Sequence, residues 1–300
     1  MKNRTSYLIC FLLCFTLGCA QERTFEFNEN ELLKRQQTLS SDAFEGRRTG
    51  EAGNDKGRAY IIQQFEALGA TPFGSQYEHE FTFKRRGTEL IGKNVLAKIA
   101  GTDFPEQYIV ISAHHDHLGV SKGGKIFNGA DDDASGVAAL FAFAEYFKQH
   151  PPKHSVILAA FDAEEMGLQG AKYFVEKMKD SKILLNINMD MISRSAKNQL
   201  YVVGTRYNKK LEQLISTFEN PTATKLLVGH DGTDGKLDWT YSSDHGPFHK
   251  VKIPFLYFGN EDHPAYHKPT DDFSDITPEF YKNAVKIILE VYKGIDAIGL

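Results

Sequence analysis

Imidazole and carboxylate side chains directly follow four apolar segments of the chain. The segments cover residues 108–113, 155–161, 183–189 and 253–258. The polar residues after them are His114, Asp116, Glu164, Glu165, Asp190, Tyr266 and His267. Imidazole and carboxylate without thiolate suit Zn²⁺ or a similar divalent ion. One ion needs about three protein ligands, and this set offers more, so the residues predict two ions bridged by a carboxylate.

Stretches with helical character separate the apolar segments. They cover residues 136–149, 170–179 and 209–219, with further helices predicted at 29–39, 55–68 and 278–295. Near-continuous apolar strands that alternate with helices predict a mostly parallel sheet covered on both faces, a three-layer α/β/α sandwich. Residues 78–83 and 94–99 alternate in polarity, as antiparallel edge strands do. Sites in such sheets lie outside the carboxyl ends of the strands, so one rim is expected to collect the polar residues.

Composition narrows the class of protein. The chain has 300 residues, of which 41% are hydrophobic and 25% charged, as in an ordinary soluble globular protein. The formal net charge of −4 offers no basic surplus for a phosphate backbone, so nucleic-acid binding is not expected. No linker rich in proline and glycine divides the sequence. Residues 20–300 are therefore predicted to form a single catalytic domain, with a monomer favoured.

The first 19 residues have the pattern of an export signal. Lys2 and Arg4 precede a short apolar run, and small residues follow it. Gly18 and Cys19 resemble the cleavage site of a bacterial lipoprotein, in which Cys19 becomes the lipidated first residue; a plain signal peptide is the alternative. All three cysteines lie in this leader, so the rest of the chain has no thiolate. We expect an exported protein, anchored to a bacterial membrane only through Cys19, on the periplasmic or cell-surface side.

Six short motifs occur in an order typical of one known family. They are Ser-Ala-His-His-Asp-His-Leu-Gly (112–119), Gly-Ala-Asp-Asp-Asp-Ala-Ser-Gly (129–136), Ala-Glu-Glu-Met-Gly-Leu (163–168), Asn-Met-Asp-Met (188–191), Ser-Asp-His (243–245) and Tyr-His-Lys-Pro-Thr-Asp (266–271). Together they resemble the M28 family of zinc-dependent aminopeptidases. The resemblance implies the zinc-peptidase (phosphorylase-like) fold without a protease-associated insertion. It also implies peptide substrates with a free N-terminus and two Zn²⁺ per chain, although other divalent ions suit these ligands.

The resemblance implies five metal ligands. His114 and Asp190 would hold one zinc ion. Glu165 and His267 would hold the other. Asp132, the middle aspartate of its triplet, would bridge the two ions, as a shared carboxylate does in hydrolytic sites with two metals.

The resemblance also implies roles around the metal ions. Glu164 would be the general acid and base for the attacking water, and Tyr266 would stabilise the tetrahedral oxyanion. Asp116 would accept a hydrogen bond from the far nitrogen of His114 and so orient the ring. The peptide bond between residues 132 and 133 would be cis.

Some of these residues have simpler interpretations. The aspartate triplet begins like a calcium-binding EF-hand loop, but Ala142 stands where that loop needs a glutamate. Glu164 and Glu165, taken alone, could be the solvated start of a helix.

Four further residues are expected to pack against the ligands or to support them rather than to bind metal. They are His115, His117, Asp244 and His245. His263 is left open between such a supporting role and a place in the substrate pocket.

Three functions follow from the sequence. The first is a dizinc aminopeptidase that acts outside the cytoplasm. The second is a glutaminyl-cyclase-like enzyme with a single zinc ion, a branch without the first histidine ligand, which the presence of His114 disfavours. The third is a binding lipoprotein on an inactive protease fold, which the complete set of ligands and base disfavours. A dipeptidase or carboxypeptidase of the same family also stays open, because pocket loops set the specificity.

Overall fold

One mixed sheet of nine strands organises residues 26–299, which are the residues that the computed structural model describes. The strands, including a separate hairpin of β5 and β6, are β1 (Thr71–Pro72), β2 (Glu78–Arg85), β3 (Thr88–Ile99), β4 (Phe104–His114), β5 (Gly119–Val120), β6 (Ile126–Phe127), β7 (His154–Phe161), β8 (Lys182–Met189), β9 (Gln199–Val203), β10 (Lys225–Val228) and β11 (Phe255–Gly259). The helices are α1 (Glu29–Leu39), α2 (Ala52–Leu68), α3 (Ala134–Phe147), α4 (Gln169–Lys177), α5 (Lys209–Ser216), α6 (His245–Lys250) and α7 (Pro278–Ile298).

Four parallel strands lie at the centre of the sheet. The strand order is β1, β3, β7, β4, β8, β11, β9 and β10, and β2 pairs with β3. Strands β7, β4, β8 and β11 run parallel. Strand β3 is antiparallel to β7, and β9 is antiparallel to β11. The predicted mostly parallel sheet with antiparallel strands toward its edges is therefore confirmed.

Helices cover both faces of this sheet. Successive residues of a strand point to opposite faces, so Ile109 and Ile111 of β4 belong to one apolar core and Val110 belongs to another. The first core contains side chains of α1, α2, α3, α5 and α7, and the second contains side chains of α4 and α6. Two cores separated by one sheet make the three layers that the sequence predicted.

The helix α3 is buried on almost every side. Its sequence is apolar around the whole circumference, which is typical of a helix inside a core. Phe141 packs edge-on against Phe65 of α2, with ring centroids 5.5 Å apart. At the other end, Asp133 caps the helix by accepting a hydrogen bond from the main-chain N–H of Gly136 at 2.9 Å. The packing of α3 in the core therefore fixes the position of its N-terminus and of the loop before it, which carries Asp132.

Short elements that the sequence did not predict are β9, β10, α6 and the two-residue strands β1, β5 and β6. Strand β10 has four residues, and its three apolar residues, 226–228, are too short a run to identify a strand. Helix α6 contains Gly246 and Pro247, which are poor helix formers. The predicted leader, residues 1–19, lies outside the described residues. Within residues 26–299, no helix has the combined length and apolar character needed to cross a bilayer.

Replacing Phe141 with alanine should lower the free energy of unfolding by about 3–5 kcal/mol, because it empties a buried aromatic site. Urea titration of the purified chain measures this change. Ile91→Ala is the matched control, since Ile91 is 51% exposed and should change stability by no more than about 0.5 kcal/mol. Equal effects of the two substitutions would contradict the proposed packing of α3.

Candidate metal centre

Side chains from five separate segments meet at the carboxyl ends of the parallel strands. His114 is the last residue of β4, and Asp190 directly follows β8. Glu165 lies in the loop after β7, His267 in the loop after β11, and Asp132 in the loop before α3. The structure groups His114, Asp132 and Asp190 in one cluster and Asp132 and Glu165 in an adjoining cluster, to which His117 also belongs. His267 lies beside this second cluster, within 3.3 Å of Asp132 and Glu165.

Asp132 lies between the two clusters. Nε2 of His114 is 3.1 Å from Oδ1 of Asp132 and 3.5 Å from Oδ1 of Asp190. Nε2 of His267 is 3.2 Å from Oδ2 of Asp132 and 3.3 Å from Oε2 of Glu165. Asp132 therefore presents one carboxylate oxygen to each imidazole, which is the arrangement that a bridging ligand needs.

The donor atoms have the spacing of a metal site and lack other partners. Ligands of a tetrahedral zinc ion lie about 2.0–2.2 Å from it and hence roughly 3.3 Å from one another. Within residues 26–299, buried oxygen atoms of Asp132, Glu165 and Asp190 have no hydrogen bond of acceptable geometry. Unpaired buried carboxylates are costly, so this donor set fits divalent cations.

Each aspartate of the triplet has different partners. Asp131 accepts hydrogen bonds from the main-chain N–H and the hydroxyl of Ser193, at 2.7 and 2.9 Å. Asp133 is occupied by the cap of α3 through Gly136. These contacts engage the carboxylates that a calcium loop would require, which argues against the EF-hand interpretation. The peptide bond between Asp132 and Asp133 is cis, as the resemblance implied.

Two buried charges hold the loop that carries Asp132. Asp271 accepts a hydrogen bond from the main-chain N–H of Asp132 at 3.1 Å. Arg47 donates to the main-chain carbonyl groups of Asn128 at 2.6 Å and Gly129 at 3.0 Å, and to two more carbonyl groups of the chain. Burial lowers the pKa of Arg47 to about 10, against the opposing charges of Asp132 and Asp271. Arg47 therefore stays cationic at neutral pH beneath this loop.

Glu165 belongs to the second cluster and is held as a carboxylate. Burial and the charge of Asp132 act to raise the pKa of Glu165. The imidazoles of His117 and His267 outweigh these effects, so the pKa of Glu165 is lowered. A carboxylate that stays ionised is the form that binds a metal ion.

Glu164 has the opposite electrostatic character. Burial raises the pKa of Glu164 well above its usual range, against the effect of His114, and the charge of Asp244 adds to the increase. A raised pKa makes a carboxyl group easier to protonate, which suits a residue that must accept a proton and then return it. The two adjacent glutamates thus divide into one suited to ligation and one suited to proton transfer.

Asp116 makes different contacts from those that the resemblance implied. Nδ1 of His114 lies 3.0 Å from the main-chain carbonyl oxygen of Asp116, whereas the nearest carboxylate oxygen is 3.8 Å away. The carboxylate instead accepts hydrogen bonds from the main-chain N–H groups of Glu164 at 3.0 Å and Glu165 at 3.3 Å. The side chain of Asp116 therefore fixes the loop that carries Glu164 and Glu165, and its main-chain carbonyl group orients the His114 ring.

Tyr266 stacks on the ring of His267, with centroids 3.9 Å apart and planes inclined by 24°. Burial raises the pKa of Tyr266, and the charges of Asp132 and Asp190 raise it further. The phenol therefore keeps its proton at neutral pH and can donate a hydrogen bond.

Asp244 and His245 are buried in the segment that opens α6. Both carboxylate oxygens of Asp244 are buried without a hydrogen-bond partner in the part of the chain that the structure covers. Burial raises the pKa of Asp244 to about 7. His245 is 2.8 Å through Nε2 from the main-chain oxygen of Trp239 and stacks on Phe255 and Tyr257. Neither belongs to a donor cluster among the described residues.

The structure places His263 beside the aspartate triplet and at a cleft that none of the five predicted metal ligands lines. Its Nε2 lies 3.1 Å from Oδ2 of Asp131, so it supports the aspartate triplet. It also lines a cleft of about 290 Å³ together with Arg194, Tyr201 and Glu261.

The two remaining histidines of the first motif differ. Nε2 of His115 lies 3.1 Å from the main-chain oxygen of Lys93, and burial lowers the pKa of His115 to about 4, in keeping with a packing role. His117 points into the second cluster, where its Nδ1 is 2.8 Å from Oε1 of Glu165 and 3.7 Å from Oδ2 of Asp132. The sequence prediction treated both rings alike, because spacing alone does not show where each one points.

A mostly parallel α/β sheet that carries carboxylate and imidazole clusters at its strand ends is typical of metal-dependent hydrolases. The sequence matches the model of peptidase family M28 over residues 94–292, which is more than half of the chain. The chain therefore belongs to peptidase family M28, and the resemblance inferred from its motifs is confirmed.

Individual relatives agree with this assignment. The chain is 27% identical to the aminopeptidase YwaD of Bacillus subtilis (strain 168) over 205 residues, which are 62% of this chain and 41% of YwaD. The chain spans less than half the length of the curated relatives it matches.

Two solved structures have the same fold. The zinc aminopeptidase BSAP from Bacillus subtilis has a TM-score of 0.70 at 16% identity, with 91% of this chain and 96% of that chain covered. A glutaminyl cyclase from an Acidobacteriales bacterium has a TM-score of 0.72 at 21% identity, with 93% and 98% covered. At these identities the likeness establishes the fold.

Arg47→Met should destabilise the metal-free protein by about 3–5 kcal/mol, because it leaves buried carbonyl groups and carboxylates without their cation. Its neighbour provides the control. Arg48 is 46% exposed and pairs with Glu51 at 3.5 Å, so Arg48→Met should cost about 0–1 kcal/mol. Chemical denaturation of both variants measures the difference, and a mild effect at position 47 would contradict the anchoring role of Arg47.

Proposed function

We propose that this protein is an aminopeptidase that removes N-terminal residues from peptides with two divalent metal ions, zinc foremost among them. The observation that carries the proposal is the sharing of Asp132 by two donor clusters with Glu164 beside them. Membership of peptidase family M28 supports the reaction class. The aminopeptidase and zinc metalloprotease names of its relatives support the substrate class and the metal.

In this proposal His114 and Asp190 would hold the first ion, and Glu165 and His267 would hold the second. Asp132 would be shared by both. When bound, the ions would polarise the scissile carbonyl, lower the pKa of the attacking water and anchor the free amine of the peptide. The protein itself supplies the orientation of these donors, through hydrogen bonds that the main chain and Asp116 provide.

Glu164 is proposed to carry the proton. It takes the proton of the attacking water and returns it to the leaving amine, as a general base and then a general acid. Its raised pKa supports this role, because the carboxyl group can exist in both protonation states during one cycle. The main-chain N–H of Glu164 donates a hydrogen bond to the Asp116 carboxylate at 3.0 Å, which holds the backbone of Glu164 in place.

Tyr266 is proposed to donate its phenolic proton in a hydrogen bond to the oxyanion of the tetrahedral intermediate. The stacked position on His267 supports this role, since the ring is held at the edge of the second cluster. Such donors stabilise charge that develops in the transition state.

The cellular context is also part of the proposal. Export through the leader of residues 1–19, anchoring through Cys19 and a monomeric single domain over residues 20–300 agree with the sequence pattern. A glutaminyl cyclase shares the fold, but the second donor cluster gives this chain more ligands than a single ion needs.

Purified full-length protein should contain about two zinc ions per chain and should hydrolyse leucine p-nitroanilide. A chelator should abolish the activity, and added zinc should restore it. Elemental mass spectrometry and the chromogenic assay test both points. N-acetyl-leucine p-nitroanilide is the control substrate and should not be cleaved, because its amine is blocked. One zinc per chain with conversion of N-terminal glutamine would support the cyclase instead.

Glu164→Gln should lower kcat by about two to four decades while both metal ions are kept, because only the proton carrier is lost. Glu165→Gln is the matched variant at the next position and should lose metal as well as activity. Metal analysis of the two variants together with steady-state kinetics separates the roles. Loss of metal in Glu164→Gln and retention in Glu165→Gln would mean that the two roles are reversed.

A further inference from the structure

We propose that His117 is a fourth protein donor of the second metal position, through its Nδ1. This inference rests on the proposed function, since it concerns the ion held by Glu165 and His267. It goes beyond the five ligands that the family resemblance implies.

The position of the Nδ1 atom carries the argument. It lies 2.8 Å from Oε1 of Glu165 and 3.7 Å from Oδ2 of Asp132, and these three atoms form one compact donor group. His267 approaches the other oxygen of Glu165, with Nε2 at 3.3 Å, and the two imidazole centroids are 5.9 Å apart. The distances bracket the roughly 3.3 Å that separates ligands of one tetrahedral zinc ion.

The short contact with Glu165 does not have the geometry of a hydrogen bond. Nδ1 and Nε2 of His117 and Oε1 of Glu165 are all buried without a hydrogen-bond partner within residues 26–299. The His117 side chain is 1% exposed. A buried ring nitrogen that faces two carboxylates without bonding to either is suited to a cation between them.

Packing fixes the direction of the ring. Gly129 lies against it so closely that a Cβ at position 129 would be 2.6 Å from Cδ2 of His117. Gly129 also has a φ of +56°, which favours glycine. The ring is therefore held in place from behind and presents Nδ1 to the cluster before any ion binds.

Two unequal metal positions follow. The second would have two imidazoles and two carboxylates, from His117, His267, Glu165 and the shared Asp132. The first has one imidazole and two carboxylates, which leaves room for water or substrate. Zinc sites with four protein ligands are closed, whereas sites that act on substrates keep a position open. The second ion is thus the more tightly bound one, and its nitrogen-rich site favours zinc or cobalt over magnesium or manganese.

The test uses Co²⁺-loaded protein and proton NMR, which reports imidazole N–H protons next to the paramagnetic ion. Nε2 of His117 is buried, so its proton should exchange slowly and give an observable shifted signal. His117→Asn removes the imidazole but keeps an amide nitrogen near the place of Nδ1, and His117→Phe keeps a ring. We expect both variants to lose this signal and to bind the tighter Co²⁺ ion at least about 10- to 100-fold more weakly, the loss typical of weakened ligand support.

His115→Asn is the control, because His115 contacts the main chain of Lys93 instead of the cluster. It should keep the signal and the affinity. Unchanged signals in both His117 variants would overturn the proposal. So would unchanged affinity in His117→Phe, since a phenyl ring offers no donor atom to a metal ion.

Co²⁺ stoichiometry separates this inference from the dinuclear proposal. A wild-type protein that binds one ion and still shows the His117 signal would refute the two-ion function and keep the ligand assignment. A wild-type protein that binds two ions but lacks that signal would refute the ligand assignment of His117 and keep the two-ion function.

Discussion

The carboxylate of Asp132 faces both donor clusters, with one oxygen toward each. The other buried charges of the rim surround this shared group. Carboxylates so close together repel one another and resist burial. Burial raises the pKa of Asp116 and of Asp133 well above the usual range, and neighbouring carboxylates add to both shifts. Arg47 supplies one buried positive charge. Divalent ions at the two clusters would supply the rest, so the site and its cations form one electrostatic unit.

Main-chain N–H groups stabilise further buried carboxylates of the site by donating hydrogen bonds to them. Asp133 accepts hydrogen bonds from the N–H groups of His114 at 3.2 Å and Met191 at 3.3 Å, besides capping α3. One side chain thereby joins β4, β8 and α3. Asp162 does the same on the other side of β4, where it accepts from the main-chain N–H of Lys93 at 2.8 Å and the side chain of Asn54 at 3.1 Å. These hydrogen bonds connect the ends of neighbouring strands without any bound ion. They therefore fix the positions of the donor atoms relative to one another.

The sequence was informative wherever a ligand directly follows a buried strand. His114 and Asp190 are of this kind, since the apolar runs before them identify the strands and parallel strands share one rim. The supporting groups were harder to predict. Arg47 sits in a turn between glycines, where an arginine is normally exposed, and only the folded chain brings four carbonyl groups around it. His117 was predicted to be a supporting residue. The sequence did not show the direction of its ring, because that direction depends on the turn after β4. Short strands such as β10 were not predicted, because an apolar run within four residues is too short to identify a strand.

The spread of the donor residues along the chain constrains how the site can be assembled. His114 and His267 are separated by more than 150 residues, and the loop of His267 also supplies Asp271 to the backbone of Asp132. An emerging polypeptide that ends before this loop has the three residues of the first cluster but lacks His267 of the second and the Asp271 carboxylate that holds the backbone of Asp132. Completion of the second cluster is thus a late step in the synthesis of the chain, and a cation bound there would be acquired where the finished chain folds.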